Sequence, residues 1–253
     1  MGLAKRIVPV ILTRGRQMVK GQKFQSWRSV GVTAQAVRIH QSRGVDELVL
    51  LDITATKEGT GPDLKLVEEL TKDCFMPLAV GGGVRTRADV RALLAAGADK
   101  VVVGAAAQCM SQDGWVIKAM SDAVGSQAIV VSIDVRDNMV WVNGGKDLSD
   151  AGSPEGNAAL LAEFGAGEIL LTSIDREGTM QGYDLDLIRS VSRAVSIPVI
   201  AHGGCGSYEH MRQAIEAGAD AVAAGALFQF TDCTPRGAAE YLAQHGIETR
   251  IAA

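Results

Sequence analysis

The chain repeats half of itself. Shifted by 121 positions, residues 45–105 lay VDELVLLDI on AGEILLTSI, MPLAVGGG on IPVIAHGG, and AGADKVVVGAA on AGADAVAAGAL. The landmarks travel together: Glu47 falls on Glu168, Pro77 on Pro198, Gly82-Gly83 on Gly203-Gly204, Asp99 on Asp220 and Gly104 on Gly225. A period this long is no solenoid repeat of about 20 to 50 residues. Each copy reads as half of one domain. Short runs of Val, Ile and Leu alternate with longer amphipathic runs, the pattern of strands buried on both faces and covered by helices. With the runs that precede and separate the copies, eight strands are expected. The fold class is therefore α/β, a single (β/α)8 TIM barrel of two half-barrels, about 1–122 and 123–253. Matching halves favour a closed barrel over an open doubly wound sheet, and 253 residues is a usual size for one.

A balance of 25 basic against 29 acidic side chains gives no general attraction to nucleic acid or anionic membrane. The start, MGLAKRIVPVILTRG, has too short an apolar run for a signal-peptide core or a membrane span, so a cytoplasmic location is expected. Met1-Gly2 is followed by Arg6 where a myristoylation motif needs Ser or Thr. Cys74, Cys109, Cys205 and Cys233 show no paired spacing, which fits reduced thiols and neither a zinc site nor a disulfide framework. No metal or cofactor is expected.

The first strand is placed at Arg6–Leu12, followed by a long loop through Gly15 and Lys20-Gly21 and a helix over Thr33–Arg43. Later strands are placed at Leu48–Ile53, Pro77–Val80, Lys100–Val103, Ala128–Asp134, Glu168–Ser173, Pro198–His202 and Ala221–Ala224. Met139–Val142 with Asn143-Gly144 reads as half of a small inserted hairpin. Helices are expected from near Asp63, over Arg87–Ala96, around Asp184–Val195 and over Pro235–His245. Gly178 and Gly182 would keep the loop after strand six flexible.

Such barrels build their sites at the carboxyl ends of the strands. Four of those ends are glycine-rich: Gly82-Gly83 with Gly104-Ala105, and Gly203-Gly204 with Gly225-Ala226. Glycine lets backbone N–H groups approach an anion closely, so each pair is a candidate phosphate cradle, or else a tight turn. Two cradles across one mouth would suit a ligand with a phosphate at each end. For proton transfer the candidates are Asp134 after strand five and Asp175 after strand six, with Asp52 in strand two a further carboxylate; the alternative role for Asp134 is capping a loop or pairing with Arg136 or Arg176. Thr172, Gly178 and His202 are further ligand-binding candidates. Lys20 could clamp an anion or simply be solvated.

Arg6, Glu47, Lys100 and Glu168 begin strands one, two, four and six, so their side chains can converge on the barrel floor. From the residues alone, this neutral ring is a salt-bridge plug or a gate for a small uncharged molecule.

The segments AKRIVPV, VKG, DELVLLDITAT, PLAVGGGVR, GSQAIVVSID and GAGEILLTSIDREGTMQGYDL together resemble the cyclase subunit of imidazole glycerol phosphate synthase, the HisF-type barrel, over nearly the whole chain. The resemblance implies a glutaminase subunit docked on the floor, whose ammonia passes the gate Arg6, Glu47, Lys100 and Glu168, with Asp99 facing that partner. It implies two phosphate sites at the glycine pairs and a catalytic role for Asp134. Five positions depart from the pattern. Leu12 stands where the first catalytic aspartate belongs, Gly104-Ala105 replaces Asn-Thr, and His202 and Gly225 each replace a serine. The VPVIL start, QKFQSWRSVG and AAGALFQF are more similar to the paralogous glycosyl amidation-associated proteins, which accompany a glutaminase and a sugar amidotransferase in surface-polysaccharide pathways. That likeness implies a synthase-type subunit that delivers ammonia for amidation of a (nucleotide-)sugar, with a phosphate-bearing small molecule at its mouth. A genuine cyclase and a non-catalytic scaffold are the alternatives.

Overall fold

The computed structural model describes residues 4–111 and 114–250. Eight parallel strands close into a TIM barrel: β1 (Arg6–Arg14), β2 (Leu48–Asp52), β3 (Leu78–Gly81), β4 (Lys100–Val103), β5 (Ile129–Arg136), β6 (Glu168–Ser173), β7 (Val199–His202) and β8 (Ala221–Ala224). Each pairs with the next, and Arg6 to Pro9 of β1 pair with Ala221 to Ala224 of β8 to complete the circle. The covering helices are α1 (Thr33–Ser42), α2 (Leu64–Thr71), α3 (Arg87–Ala95), α4 (Val116–Val124), α5 (Pro154–Glu163), α6 (Leu185–Ala194), α7 (Tyr208–Glu216) and α8 (Pro235–Gln244).

Alternation along each strand divides the core into two shells. Val8, Val10, Val49, Val102, Val130 and Leu170 fill the barrel. Ile7, Ile11, Leu48, Leu78, Ile129 and Ile169 face outward and pack under the helices. The sequence repeat reappears in the helix caps, which stop the first turn from leaving orphan N–H groups. Asp63 accepts from Leu66 N at 3.0 Å to start α2, and Asp184, its counterpart, accepts from Leu187 N at 3.1 Å to start α6. Thr86 and Ser207 cap α3 and α7 in the same paired way. On the floor, Asp99 accepts from Leu78 N at 2.9 Å and Asp220 from Val199 N at 3.1 Å.

The segment expected as a long loop after β1 is a β-hairpin. Gln17–Gln22 runs back antiparallel to β1, and Gln25–Val32 pairs with it. Its turn places Lys23, Phe24 and Ser26 at φ of 51°, 60° and 54°, a conformation that no glycine in this stretch advertises. Gly178 is not a flexible joint either: a β-carbon there would lie 2.2 Å from Gly21 O, so the glycine lets this hairpin pack onto the loop after β6. The second insertion is a hairpin as expected. It lengthens β5 through a two-residue turn, Asp137-Asn138, with Met139–Val142 pairing back on β5 and Asp147–Leu148 pairing on that. Among the described residues no helix is long and apolar enough to cross a membrane.

Candidate active site

β1 delivers Leu12, not a carboxylate, to the centre of the mouth. Leu12 is 4% exposed and packs in the barrel cluster with Val19, Trp27, Leu51 and Ile53. The first position from which the family pattern would transfer a proton is thus an apolar plug.

Beside this plug the mouth opens into a cavity of about 640 Å³, lined on its β2 to β5 side by Gly82, Gly83, Gly104, Ala105 and Asp134, and on its rim by Phe24, Trp27 and Trp141. Asp134, Thr172 and His202 are lateral partners on β5, β6 and β7 and form one row across it. Ser132 Oγ donates to Asp134 Oδ1 at 3.0 Å. Burial pushes the Asp134 carboxyl up to about 6, with Glu177 adding to the rise and hydrogen bonds from Ser132 and Thr172 opposing it. A carboxyl poised there can give and take a proton near neutral pH.

Thr172 Oγ1 and His202 Nδ1 are 3.2 Å apart. If the Thr172 proton goes to Asp134, its oxygen is free to accept Nδ1–H of His202, which fixes a neutral tautomer. Burial, the largest influence, and Lys20 both lower the His202 pKa against the pull of Glu177. His202 Nε2 lies 3.6 Å from Glu177 Oε2, too far for a hydrogen bond.

Glu177 was not among the sequence candidates. Its backbone N–H bonds back to Ser173 O at 3.0 Å, a helical turn that swings the side chain over the mouth, two residues beyond the expected Asp175. Asp175 itself does not line the cavity. Its side chain is half exposed, accepts from Asp137 N at 3.2 Å and stands 3.9 Å from Arg136 Nε. Asp52 is also taken up locally: Oδ1 accepts from Thr54 N and Oγ1, both at 2.8 Å, and from Ala55 N.

The glycine pairs fall into two kinds. Gly82 and Gly203 have φ of 121° and 93°, and β-carbons there would meet Asp52 O at 2.7 Å and Ser173 O at 2.6 Å, so backbone packing requires them whether or not a ligand binds. Gly225, at φ −108° and ψ −68°, lies in the right-handed helical region that any residue adopts, whereas Gly104, at φ −96° and ψ −107°, lies outside the regions usual for a residue with a side chain. Around Gly104 there is open space. Over Gly225 lies Lys20, whose Nζ is 2.0 Å from where a β-carbon would be.

Lys20 therefore is not a solvated loop lysine. It is buried on the hairpin strand, and its ammonium has no hydrogen-bond partner among the described residues. Burial lowers its pKa, while Glu177 favours the charge. Under it, the Gly203-Gly204 end has shrunk to a space of about 10 Å³, bounded also by Glu177, Gly178, Gly225 and Ala226.

At the floor, Arg6, Glu47, Lys100 and Glu168 alternate in sign around the strand starts. Arg6 reaches Glu47 at 2.5 Å and Glu168 at 3.2 Å, and Lys100 reaches them at 3.0 and 3.1 Å. Burial works against the Arg6 charge, and the Glu168 and Glu47 carboxylates more than offset it, raising its pKa. Asp99 lies exposed beside this ring, with its carboxylate engaged by Leu78 N. Among the described residues no group of three His, Cys, Asp or Glu side chains could hold a metal ion.

A family model described as histidine biosynthesis protein matches residues 6–234, and the chain belongs to that family.

Proposed function

We propose that this chain is an ammonia-delivering barrel subunit that works with a glutaminase on its floor and passes ammonia to a phosphate-bearing (nucleotide-)sugar substrate or to a sugar amidotransferase at its mouth. The observation that carries this reading is the contrast between the two ends. The floor ring of Arg6, Glu47, Lys100 and Glu168 is complete and fully paired. The mouth has Leu12 in place of a proton-transferring carboxylate. Between them the barrel is lined by Val8, Val10, Val49, Val130 and Ala223, side chains that offer a neutral ammonia molecule no hydrogen bond to stop at and disfavour ammonium. Asp99 is the proposed contact with the glutaminase, and the proposed setting is the cytoplasm. The two half-barrels, about 1–122 and 123–253, are proposed to derive from one duplicated unit.

A second reading, a genuine cyclase of histidine biosynthesis, is favoured by one observation: Asp134, raised to about 6 in an open cavity, suits general acid–base work. Asp175 would have to leave Arg136 to assist it. One assay separates the readings. The purified chain is given the family's bisphosphate aminoimidazole substrate and saturating ammonium salt, which bypasses any glutaminase. The expected result is no cyclisation by folded protein; robust turnover would replace the ammonia-delivery reading with the cyclase.

A further inference from the structure

We infer that the hairpin after β1 is a docking rib for a partner protein that presents an acidic surface. The inference rests on the reading that ammonia leaves at the mouth for a protein acceptor, and it adds the chemistry by which that acceptor is recognised.

Charge is divided along the chain. Residues 1–45 hold nine of its 25 basic side chains and none of its 29 acidic ones, so residues 46–253 carry 16 against 29. An asymmetry of this kind accompanies surfaces for anionic partners. Folding sorts the nine cations. Arg6 enters the floor ring, and Lys5, Arg16 and Arg38 pair with Asp220, Glu69 and Asp73. Lys20 is buried, and Arg43 ends α1. Arg14, Lys23 and Arg28 remain. All three are exposed on the hairpin, and none has a carboxylate partner among the described residues.

The hairpin spreads these cations from root to tip. Arg14, Gln17 and Val32 are lateral neighbours at its root. Lys23 lies in the turn, where its N–H donates to Glu177 O at 2.9 Å. Arg28 lies on the outer strand, Gln25–Val32, which among the described residues pairs on one side only. Its guanidinium stands over the Phe230 ring at 5.4 Å, so the planar fork is held in place with its N–H donors free for a carboxylate. Phe230 and Val32, 47% and 43% exposed, add apolar contact beside the charges.

Neighbouring acids do not cancel the rib. Glu69 is taken by Arg16, Glu177 is buried beneath the turn, and Asp175 stands by Arg136. On the loop after β2, Glu58 is matched by Lys57. Asp232, two residues beyond Phe230, is exposed, which still leaves cations in excess.

The number of cations selects the kind of partner. Near an anionic membrane each contributes about 1 kcal/mol, a weak total that the acidic remainder of the chain opposes. A nucleic acid needs a longer basic track and meets the same repulsion. A protein interface needs only a few such pairs around an apolar contact, because arginines carry interface energy out of proportion to their number. Charges also guard an open edge strand against strand pairing. Reversing their sign keeps that guard and removes the fit to an acidic partner, so charge reversal separates the two roles.

The test places the photo-cross-linking residue p-benzoylphenylalanine at Ser29, exposed on the outer strand, in the full chain and in the cells that make it. The captured protein is identified by mass spectrometry, purified, and its binding to the chain measured by interferometry. The expected adduct is to a segment rich in Asp and Glu. Binding to wild type should weaken at least tenfold between about 50 and 300 mM salt. A triple variant, Arg14→Glu with Lys23→Glu and Arg28→Glu, should bind at least about thirtyfold more weakly at low salt, with an unchanged melting curve. Binding by the triple variant within threefold of wild type, an adduct only with a second copy of the chain, or no protein adduct would each overturn the inference. So would co-sedimentation of wild type, but not of the triple variant, with phosphatidylcholine vesicles containing phosphatidylglycerol, which would assign the rib to a membrane. Robust cyclisation in the ammonium-salt assay would remove the ammonia-delivery reading without altering any of these outcomes.

Discussion

Thr172 Oγ1 stands 3.2 Å from Nδ1 of His202, and the same threonine is the strand partner of Asp134. One hydroxyl therefore links the only ionisable carboxyl of this row to a buried imidazole. The row runs perpendicular to the strands, which is how a barrel converts three separate strand ends into one chemical unit.

The first prediction concerns Asp134. Its folded-state pKa of about 6 lies above the ordinary carboxyl value of about 3.9, so between these values the folded protein holds a proton that the unfolded chain has lost. Stability attributable to this group is present below pH 4 and is lost as pH rises through 6. The difference amounts to about 3 kcal/mol at pH 7 and above. Asp134→Asn should therefore raise the urea midpoint at pH 7.5 and leave it little changed at pH 4.

His40 should behave in the opposite sense. It is 3% exposed on α1, and burial, with Arg43 and Lys20, pushes its pKa down to about 4. Between pH 6.5 and 4 the unfolded chain takes up a proton that the folded protein refuses, so stability falls as the solution is acidified, by about 3 kcal/mol across the window. His40 Nδ1 has no partner to lose. A His40→Leu variant should lack this acid slope in denaturation curves. Because the Asp134 and His40 slopes oppose each other over nearly one window, the wild-type curve conceals both and only variant-minus-wild-type differences reveal them.

At the floor, Lys100 holds two carboxylates at 3.0 and 3.1 Å. Lys100→Met leaves Glu47 and Glu168 facing one another with Arg6 alone between them. Breaking a fully buried pair costs about 3–5 kcal/mol. This ring is partly open to solvent, so a loss of about 2 kcal/mol is expected in chemical denaturation. Under the proposed ammonia-delivery function, glutamine-driven transfer should suffer as well, while supply from ammonium salt at the mouth should not.

The barrel itself was legible because its strands are buried on both faces and bounded by hard punctuation. β4, β6 and β8 lie at the residues expected, each entered from an Ala-Gly-Ala-Asp or Gly-Glu step and left at a glycine or a loop. The hairpin after β1 was not legible. QMVKGQKFQSWRSV spreads its polar residues over both faces, and its turn places Lys23, Phe24 and Ser26 at positive φ without the Asn-Gly signal that marked the second hairpin. That omission also hid the burial of Lys20. Glu177 was missed for a different reason: the side chain reaches the mouth only because the chain turns helically after Ser173, and no local pattern separates that turn from an extended exit that would have favoured Asp175.

Phe75, just ahead of β3 on the floor, is 83% exposed, and its N–H donates to Gln41 Oε1 at 2.9 Å. A large aromatic held out in water contributes little to the fold and a great deal to an interface when a partner covers it. Phe75→Ser should leave thermal stability within about 0.5 kcal/mol of wild type. If the proposed glutaminase docks on this face, its affinity for the Phe75→Ser variant, measured by interferometry, should be at least tenfold lower than for wild type.

The final prediction addresses Leu12, where the resembled pattern has an aspartate. Restoring the carboxylate does not restore its surroundings. Position 12 is packed against Val19, Trp27, Leu51 and Ile53. An aspartate there loses the buried leucine side chain and must either ionise in an apolar cluster or stay protonated at neutral pH, a cost of roughly 3 kcal/mol or more. The sign with pH follows from the same argument. Burial would raise the pKa of the new carboxyl, so the deficit of Leu12→Asp relative to wild type should be largest at pH 8 and shrink as the solution is acidified below about pH 5. Urea denaturation at both pH values measures the difference. A deficit independent of pH would mean that the new side chain had turned out into the cavity, and one that grows on acidification that it had paired with Lys20; in either case the mouth would be able to accept the catalytic aspartate after all.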